Sequence, residues 1–281
     1  MTNPDTPLIL AIAPNGARKT PVDHPAIPIT PDQIGRTAAD CAAAGASMIH
    51  AHVRDADLRH LLDAAAYRDA IAAIRREVGP DFIIQVTTEA AGRYEAPAQM
   101  AMVRDLKPEA CSASIREFAG KPEQEFEAAD FFAWAAQENI HVQYILYDPD
   151  DLNRFIDLHK RGLIPQKRPC LLYVLGRYAK DQQSTPPDLL PFLDVAQPFD
   201  ADWFMCAFGR HESACALTAA AFGGHCRIGF ENNMLLANGD TAPDNAALVS
   251  QLAPGTAILG RHLASGATAR ELLGVEQRAG G

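Results

Sequence analysis

The amino-acid sequence predicts a single (β/α)8 barrel, also called a TIM barrel, that extends over residues 1–281. Eight short apolar segments alternate with segments of helical pattern, which is the order of elements in proteins with a parallel sheet. Most of the apolar segments are almost uninterrupted, as in strands that are buried on both faces. An open doubly wound sheet is the alternative, but it normally has a glycine-rich phosphate turn after the first strand. The sequence at that point is Pro14-Asn15-Gly16-Ala17, which does not fit that pattern.

The boundaries of the elements follow from turn and cap residues. Strands are expected at residues 8–13, 47–53, 82–88, 110–115, 142–147, 170–175, 203–207 and 226–230. Thr30 and Pro31 predict the start of the first helix, and Gly45 predicts its end. Asp63 and Gly79 enclose the second helix in the same way. The expected helices are 31–44, 64–78, 122–139, 149–162, 211–222, 243–252 and 267–273.

The composition is that of an ordinary globular protein, with 48% hydrophobic and 21% charged residues. No segment has the roughly 20 continuous apolar residues of a membrane span, and the first residues do not resemble a signal peptide, so a cytoplasmic protein is expected. The net charge of −10 argues against nucleic acid as the main partner. The six cysteines form no C-x-x-C pair, and most lie in apolar segments, which favours buried thiols in a reducing compartment.

The second predicted strand contains two histidines, His50 and His52. Alternate residues of a strand point to one face, so both imidazoles are expected on the same side, where they could bind a metal ion such as zinc. Glu231 follows the eighth predicted strand and offers a third ligand. Because active sites of these barrels form at the C-terminal ends of the strands, the three side chains are expected to converge there.

Several segments, in the same order over nearly the whole chain, resemble the β-keto acid cleavage enzyme family, also called 3-keto-5-aminohexanoate cleavage enzymes. They are Ala13-Pro14-Asn15-Gly16-Ala17, Pro28-Ile29-Thr30-Pro31, Ala44-Gly45-Ala46, His50-Ala51-His52-Val53-Arg54-Asp55, Gln85-Val86-Thr87-Thr88, Lys107-Pro108-Glu109, Gly223-Gly224-His225-Cys226-Arg227-Ile228-Gly229-Phe230-Glu231-Asn232-Asn233 and Ala269-Arg270-Glu271-Leu272-Leu273-Gly274.

The resemblance implies a zinc-dependent TIM barrel that reacts a β-keto acid with acetyl-CoA to give acetoacetate and a new acyl-CoA. It implies one Zn²⁺ per chain, held by His50, His52 and Glu231. The family arginine falls on Arg227, which could orient a carboxylate or hold developing negative charge. A hydroxyl at the end of the third strand falls on Thr87 or Thr88. The resemblance also implies a homo-oligomer.

The sequence departs from the family pattern at positions that affect catalysis. The family has an aspartate directly after the ligand glutamate, where this chain has Asn232, which cannot act as a base at neutral pH. We therefore expect Glu89, at the end of the third strand, to abstract the proton at C2 of the substrate, with Thr87 or Thr88 orienting it. A basic residue, Arg18, stands where relatives acting on amino-bearing keto acids have an acidic one.

Further basic residues follow other strands. Arg18 and Arg116 together predict an anionic distal group on the substrate, such as that of a β-keto dicarboxylate. Arg177 and Lys180, after the sixth strand, are candidates for contacts with CoA phosphates. Two other functions stay open at this point. One is a metal-dependent lyase or aldolase that does not use CoA, and the other is an inactive relative that binds metabolites.

Overall fold

The computed structural model describes residues 6–197 and 199–277, and within them eight parallel strands close into a barrel. The barrel strands are β1 (Leu10–Ile12), β2 (Met48–Ala51), β5 (Ile83–Val86), β6 (Ala110–Ser114), β7 (His141–Leu146), β8 (Cys170–Leu175), β9 (Asp202–Ala207) and β10 (His225–Ile228). A short antiparallel hairpin of β3 (Val53–Arg54) and β4 (His60–Leu61) follows β2. Strand β1 pairs with β10 on one side and with β2 on the other, which closes the ring. This confirms the predicted TIM barrel and rules out the open sheet.

Helices cover the outside of the barrel. They are α1 (Pro31–Ala44), α2 (Ala64–Val78), α3 (Ala96–Leu106), α4 (Ile115–Phe118), α5 (Glu125–Gln137), α6 (Pro149–Lys160), α7 (Leu190–Ala196), α8 (Glu212–Ala221), α9 (Asn245–Ile258) and α10 (Gly266–Leu273). Helix α1 begins with the predicted cap, since the hydroxyl of Thr30 accepts a hydrogen bond from the backbone N–H of Gln33. It ends at Gly45 in the left-handed conformation, with φ of 116°. Asp63 caps α2 and Asp148 caps α6 in the same manner.

The sequence patterns did not reveal α3 and α7. Helix α3 has Glu95 at its N-cap without a side-chain cap bond, and its C-cap is the left-handed Lys107 instead of a glycine. Helix α7 is only 7 residues long and also has no side-chain cap bond. Both helices form against the packed barrel without the local signals on which prediction depends.

Two other helices differ from the prediction in extent. The segment expected as one helix over 122–139 contains a 3-10 turn at Pro122–Gln124, followed by α5. The turn begins with its own cap, so the segment is divided into this 3-10 turn and α5. Helix α9 continues through Pro254 to Ile258, beyond the expected end at residue 252.

Apolar side chains form two cores, one inside the barrel and one between the strands and the helices. Met48, Ile83, Leu172 and Phe204 belong to the inner core, whereas Ile49 packs in the outer one. Because side chains alternate along a strand, every second residue after Met48 also points into the barrel. The barrel interior is thus filled by packed side chains below the level of the site.

The cysteines are buried, as the sequence predicts. All six cysteines are buried, namely Cys41, Cys111, Cys170, Cys206, Cys215 and Cys226. Burial raises the pKa of the Cys206 thiol to about 11, which disfavours the nucleophilic thiolate form. None of the helices in residues 6–197 and 199–277 is long and apolar enough to cross a membrane.

Candidate metal centre and active site

His50 and His52 point into the top of the barrel, as the alternation of the strand predicts. Both side chains are buried, and their Nε2 atoms lie 3.1 Å apart. The amide of Asn15 fixes the backbone of this segment, since its Nδ2 donates to the carbonyl of His52 at 2.9 Å. The turn after β1 and the end of β2 are therefore joined directly beside the histidine pair.

Glu231 reaches the two histidines from the loop that follows β10. Its Oε1 lies 3.5 Å from His52 Nε2, and its Oε2 lies 3.9 Å from His50 Nε2. Two glycines make room for this approach. A Cβ on Gly16 would lie 2.6 Å from Cγ of Glu231, and one on Gly229 would lie 2.4 Å from the backbone oxygen of Ala13, the residue after β1. Both glycines also have positive φ, of 62° and 134°, which a residue with a side chain adopts only with strain.

The three ligand atoms have the spacing of a metal site. They all lie within 4.8 Å of one another, so the cluster of His50, His52 and Glu231 could hold a metal ion. In a tetrahedral zinc site with bonds of about 2.0–2.1 Å, two ligand atoms are roughly 3.3 Å apart. The observed separations of 3.1, 3.5 and 3.9 Å are close to that value. Two imidazoles and one carboxylate, with room for a further ligand, are also the donor set of catalytic zinc sites.

The surroundings of the histidines prepare them to bind a cation. Burial lowers the pKa of both His50 and His52 well below the ordinary value, so both imidazoles are neutral and have a free electron pair. His50 Nδ1 lies 2.7 Å from Oε1 of the buried Gln85 on β5. Since an amide oxygen only accepts, Nδ1 carries the hydrogen and the lone pair of Nε2 faces Glu231.

The partly buried Lys19 and the buried Glu212 hold the loop that carries Glu231. Lys19 Nζ donates to the backbone carbonyls of Phe230 and Glu231, at 2.7 and 3.0 Å. On the other side, the carboxyl of Glu212 accepts from the backbone N–H of Gly229 at 3.1 Å. The third ligand is therefore positioned by contacts with the turn after β1 and with α8. Burial is the main cause that lowers the pKa of Lys19 and raises that of Glu212.

Arg227 lies on β10 beside the ligands and is almost fully buried. Its Nη2 is 4.0 Å from Glu231 Oε2 and donates to the sulfur of Cys206 at 3.5 Å. The other two nitrogens, Nε and Nη1, have no hydrogen-bond partner among the described residues. A buried guanidinium normally uses its donors, so this one is equipped to receive an anionic group.

A cavity opens above the cluster of His50, His52 and Glu231 at the C-terminal ends of the strands. It is lined by His50, Thr87, Thr88, Glu89, Ser114, Glu117, Ile145, Tyr147, Val174, Arg177, Phe208, Arg227 and Glu231. Two arginines face the carboxylate of Glu89, with Arg18 Nη1 at 3.4 Å and Arg177 Nη2 at 3.7 Å from Oε1. An adjoining cavity is lined by Arg18 as well as by Arg177, Glu89 and Glu231. The two arginines thus lie at the opening of the cavity.

The predicted hydroxyl residues lie in this cavity, but their hydrogen bonds differ. Thr88 donates to the backbone carbonyl of Ser112 on the next strand, at 2.7 Å. Thr87 Oγ1 accepts from the backbone N–H of Glu89, at 3.0 Å, so its hydrogen is still available. Asn232 is buried, and neither atom of its amide has a hydrogen-bond partner among the described residues. It is not one of the residues that line the cavity.

Arg116 has a different environment from the one expected for a substrate ligand. Its guanidinium forms ion pairs with Asp148 and with Asp151, the latter at 3.0 Å, and it is not among the residues that line the cavity. The reason is that α4 directs this side chain toward the start of α6. Lys180 is exposed and also lies outside the cavity lining, whereas Arg177 is part of it. His225 lies at the opposite, N-terminal end of β10, where its Nδ1 accepts from the N–H of Ile9.

Four residues that support the site were not identified from the sequence. Gln85, Lys19 and Glu212 orient the ligands, and Glu117 lines the cavity. Gln85 has the one usable signal, because it stands at the end of a strand with apolar neighbours, where a polar side chain needs a partner. Lys19, Glu212 and Glu117 contact residues that are distant in the sequence, so no local pattern reveals them.

Comparison with solved structures agrees with the fold. The chain aligns with apo ObcA with a TM-score of 0.73 at 16% identity, covering 89% of this chain and 66% of that one. It also aligns with the type I 3-dehydroquinate dehydratase of Clostridium difficile, with a TM-score of 0.59 at 11% identity over 90% and 92% of the two chains. At these identities the likeness concerns the barrel alone.

Comparison of sequences identifies the family. The profile of the beta-keto acid cleavage enzyme family matches residues 7–275. A 3-keto-5-aminohexanoate cleavage enzyme of Fusobacterium nucleatum is 30% identical over 275 residues, which are 96% of this chain and 98% of the relative. A 3-oxoadipate:acetyl-CoA acetyltransferase of Cupriavidus necator is 29% identical over 281 aligned residues. With its His50, His52 and Glu231 cluster at the mouth of a TIM barrel, this chain belongs to the beta-keto acid cleavage enzyme family.

Proposed function

We propose that the protein condenses an anionic β-keto acid with acetyl-CoA and releases acetoacetate and a new acyl-CoA. The observation that carries the proposal is the meeting of a three-ligand cluster with the partly unbonded guanidinium of Arg227 in one cavity. A β-keto acid has a keto oxygen and a carboxylate two carbons apart, so it presents one group to each. The names of the relatives support the reaction class, since one is an acetyltransferase that uses 3-oxoadipate and acetyl-CoA.

We propose one Zn²⁺ per chain, held by His50, His52 and Glu231. When bound, the cation would act as a Lewis acid that polarises the keto group and makes the hydrogen at C2 more acidic. The chain itself supplies neutral imidazoles, because burial lowers the pKa of both histidines. Gln85 keeps the correct tautomer of His50 in place.

Arg227 is proposed to bind the carboxylate at C1 of the substrate. Its Nε and Nη1 have no partner among the described residues, and either N–H group could donate to a carboxylate oxygen. This would fix C2 between the polarised keto group and the anchored carboxylate. Thr87, whose hydroxyl hydrogen is available, lies in the same cavity and could orient the reacting group.

Arg18 and Arg177 are proposed to select a substrate with a second anionic group at its distal end. Both face the opening of the cavity, and both contact Glu89. A distal carboxylate that enters between the two arginines would replace Glu89 as their negatively charged partner. The Cupriavidus necator relative supports this proposal, because it is named for 3-oxoadipate, which is such a β-keto dicarboxylate.

The reaction needs a base at C2, and Glu89 is the residue that the sequence predicts for this role. Removal of the proton gives an enolate, whose C2 attacks the thioester carbonyl of acetyl-CoA and expels the CoA thiolate. The thiolate then attacks the original keto carbon, and the C2–C3 bond breaks to give acyl-CoA and, after C2 takes up a proton, acetoacetate. Glu89 lines the cavity, and its role as the base stays a prediction.

A coupled assay tests the proposed function. A panel of β-keto acids, including 3-oxoadipate and the neutral-tailed 3-oxohexanoate, is incubated with acetyl-CoA, and acetoacetate and acyl-CoA are measured. We expect turnover that requires acetyl-CoA, is abolished by a chelator and favours 3-oxoadipate. Cleavage of a keto acid without CoA would point instead to a metal-dependent lyase or aldolase. Binding of keto acids without turnover would point to an inactive relative.

A homo-oligomer is a further proposal, which rests on the family resemblance alone. Multi-angle light scattering of the purified protein would measure the mass relative to the 30.3 kDa chain. A mass of one chain at micromolar concentration would contradict it.

A further inference from the structure

A second carboxylate, Glu117, reaches the cavity from α4. Its Oε2 accepts two hydrogen bonds, from Nε2 of Gln99 at 2.6 Å and from the backbone N–H of Ala90 at 3.2 Å. Its Oε1 accepts no hydrogen bond from any described residue. Since Glu117 lines the same cavity as His50 and Glu231, this leaves Oε1 as the oxygen available to a molecule bound there.

The environment of Glu117 suits a group that gains and loses a proton. Burial is the largest cause that raises its pKa, and the negative charge of Glu89 acts in the same direction. The hydrogen bonds from Gln99 and Ala90 and the charge of Arg177 act in the opposite direction. A carboxylate is a better general base when its pKa is raised toward the pH at which it works.

Glu89 and Glu117 differ in their partners. Glu89 Oε1 faces two guanidinium groups, those of Arg18 and Arg177, at 3.4 and 3.7 Å. Glu117 has neutral hydrogen-bond donors on one oxygen only. Glu89 therefore holds the two arginines at the cavity opening. Glu117 is hydrogen-bonded through one oxygen only, so its other oxygen can contact a substrate.

We propose that Glu117 is the general base that removes the proton from C2 of the β-keto acid. This rests on the proposed function. In the step, the C2–H bond breaks, its electrons move into the C2–C3 bond as the keto carbonyl becomes an enolate, and the proton moves to Oε1 of Glu117. After the C–C bond cleavage, the same carboxyl returns a proton to C2 of acetoacetate, so the group ends as it began. Asn232, which has no basic atom at neutral pH, does not take part in this transfer.

Exchange of the C2 hydrogens with deuterium from solvent measures this step without acetyl-CoA. Proton NMR follows the loss of the C2 signal of 3-oxoadipate in deuterated buffer with the zinc-loaded enzyme, and the rate without enzyme is subtracted. We expect Glu117→Gln to lower the enzymatic rate by about 10²–10⁴, the usual contribution of a general base. Glu123→Gln makes the same chemical change at an exposed position outside the cavity and should keep the wild-type rate.

Chemical rescue distinguishes a base from a residue that only supports the structure. Glu117→Ala should be as slow as Glu117→Gln, and added formate should restore part of its exchange rate because it supplies a carboxylate in the vacated space. Zinc content and melting temperature are measured for each variant, and rescue by formate cannot occur in an unfolded protein. Exchange at the wild-type rate in Glu117→Gln would overturn the proposal, and so would loss of exchange without any rescue.

The same experiments separate this proposal from the proposed function. The coupled assay asks whether acetyl-CoA is used, and the exchange assay asks which group moves the proton. If the wild-type enzyme exchanges C2 hydrogens but never uses acetyl-CoA, the proposed function fails and Glu117 can still be the base. If Glu89→Gln abolishes exchange while Glu117→Gln does not, the base is Glu89 and the present inference is wrong.

Discussion

Replacement of Glu212 by glutamine should change how the stability of the fold depends on pH. The carboxyl of Glu212 is 1% exposed and accepts hydrogen bonds from Gly229 at 3.1 Å and from the amide of Asn233 at 3.3 Å. Burial raises its pKa from the ordinary value of 4.5 to about 8, although these hydrogen bonds and the charge of Lys19 act in the opposite direction. The native protein therefore keeps a proton on this group at pH values where the unfolded chain has lost it.

The sign of the effect follows from linkage. Because the folded pKa of Glu212 lies above the unfolded one, its contribution to stability is fully present below pH 4.5 and is lost as the pH rises to about 8. One pKa unit corresponds to about 1.36 kcal/mol, so between pH 5 and pH 8 the free energy of unfolding should fall by about 3–4 kcal/mol on account of this group. The glutamine variant has no such proton and should not show this loss.

Thermal unfolding of the metal-free wild type and of Glu212→Gln, at several pH values from 5 to 8, measures the difference. For 281 residues the entropy of unfolding is roughly 0.6 kcal/mol/K. The melting temperature of the variant should therefore rise by about 6 °C relative to the wild type over this pH range. The lowered pKa values of His50 and His52 give the opposite dependence on pH, but they do so in both proteins and cancel in the difference. A difference that does not change with pH would refute the reasoning.

Three other variants test the site. His50→Ala combined with His52→Ala should reduce the zinc content from about one per chain to near zero by elemental analysis, and retained metal would refute the ligand assignment. Lys19→Met removes two hydrogen bonds that hold the backbone around Glu231, so the zinc dissociation constant should rise about tenfold in competition with a chelator. Unchanged affinity would show that the loop does not need Lys19. Arg18→Glu should lower kcat/KM for 3-oxoadipate by a factor equivalent to about 1–2 kcal/mol of transition-state binding. The loss is modest because the Arg18 side chain is 56% exposed. An equal loss with 3-oxohexanoate would show that Arg18 does not select the distal group.

The barrel could be predicted from the sequence because its signals are local and repeated. Each barrel strand is an apolar segment, and several helices have side-chain caps such as those of Thr30, Asp63 and Asp148. The hairpin of β3 and β4 gave no such signal, since its strands are only 2 residues long. Helices α3 and α7 also lacked side-chain caps, so their formation depends on packing that a single sequence does not display.

The site was predicted where the strand geometry alone determines the direction of a side chain. The two-residue period of β2 placed His50 and His52 on one face, and the end of β10 placed Glu231 near them. Arg116 shows the limit of this reasoning, because a position after a strand does not specify which way the next helix directs the side chain. Lys19 acts on backbone carbonyls more than 200 residues away in the chain, and no local pattern reveals such a contact.

The buried arginines at the two ends of the barrel differ in how many of their nitrogens donate hydrogen bonds. Arg261 donates four hydrogen bonds to backbone carbonyls near the N-terminal ends of the strands. Arg270, at the same end, binds both carboxylate oxygens of Glu109, at 3.0 and 2.9 Å. Arg227 is just as buried at the C-terminal end, yet two of its three nitrogens lack partners among the described residues. A buried donor without an acceptor costs roughly 1–3 kcal/mol, and the well-paired arginines at the other end show that this fold can satisfy such groups. We therefore propose that a bound molecule supplies the missing acceptor, and that a carboxylate beside His50, His52 and Glu231 fits the charge of Arg227.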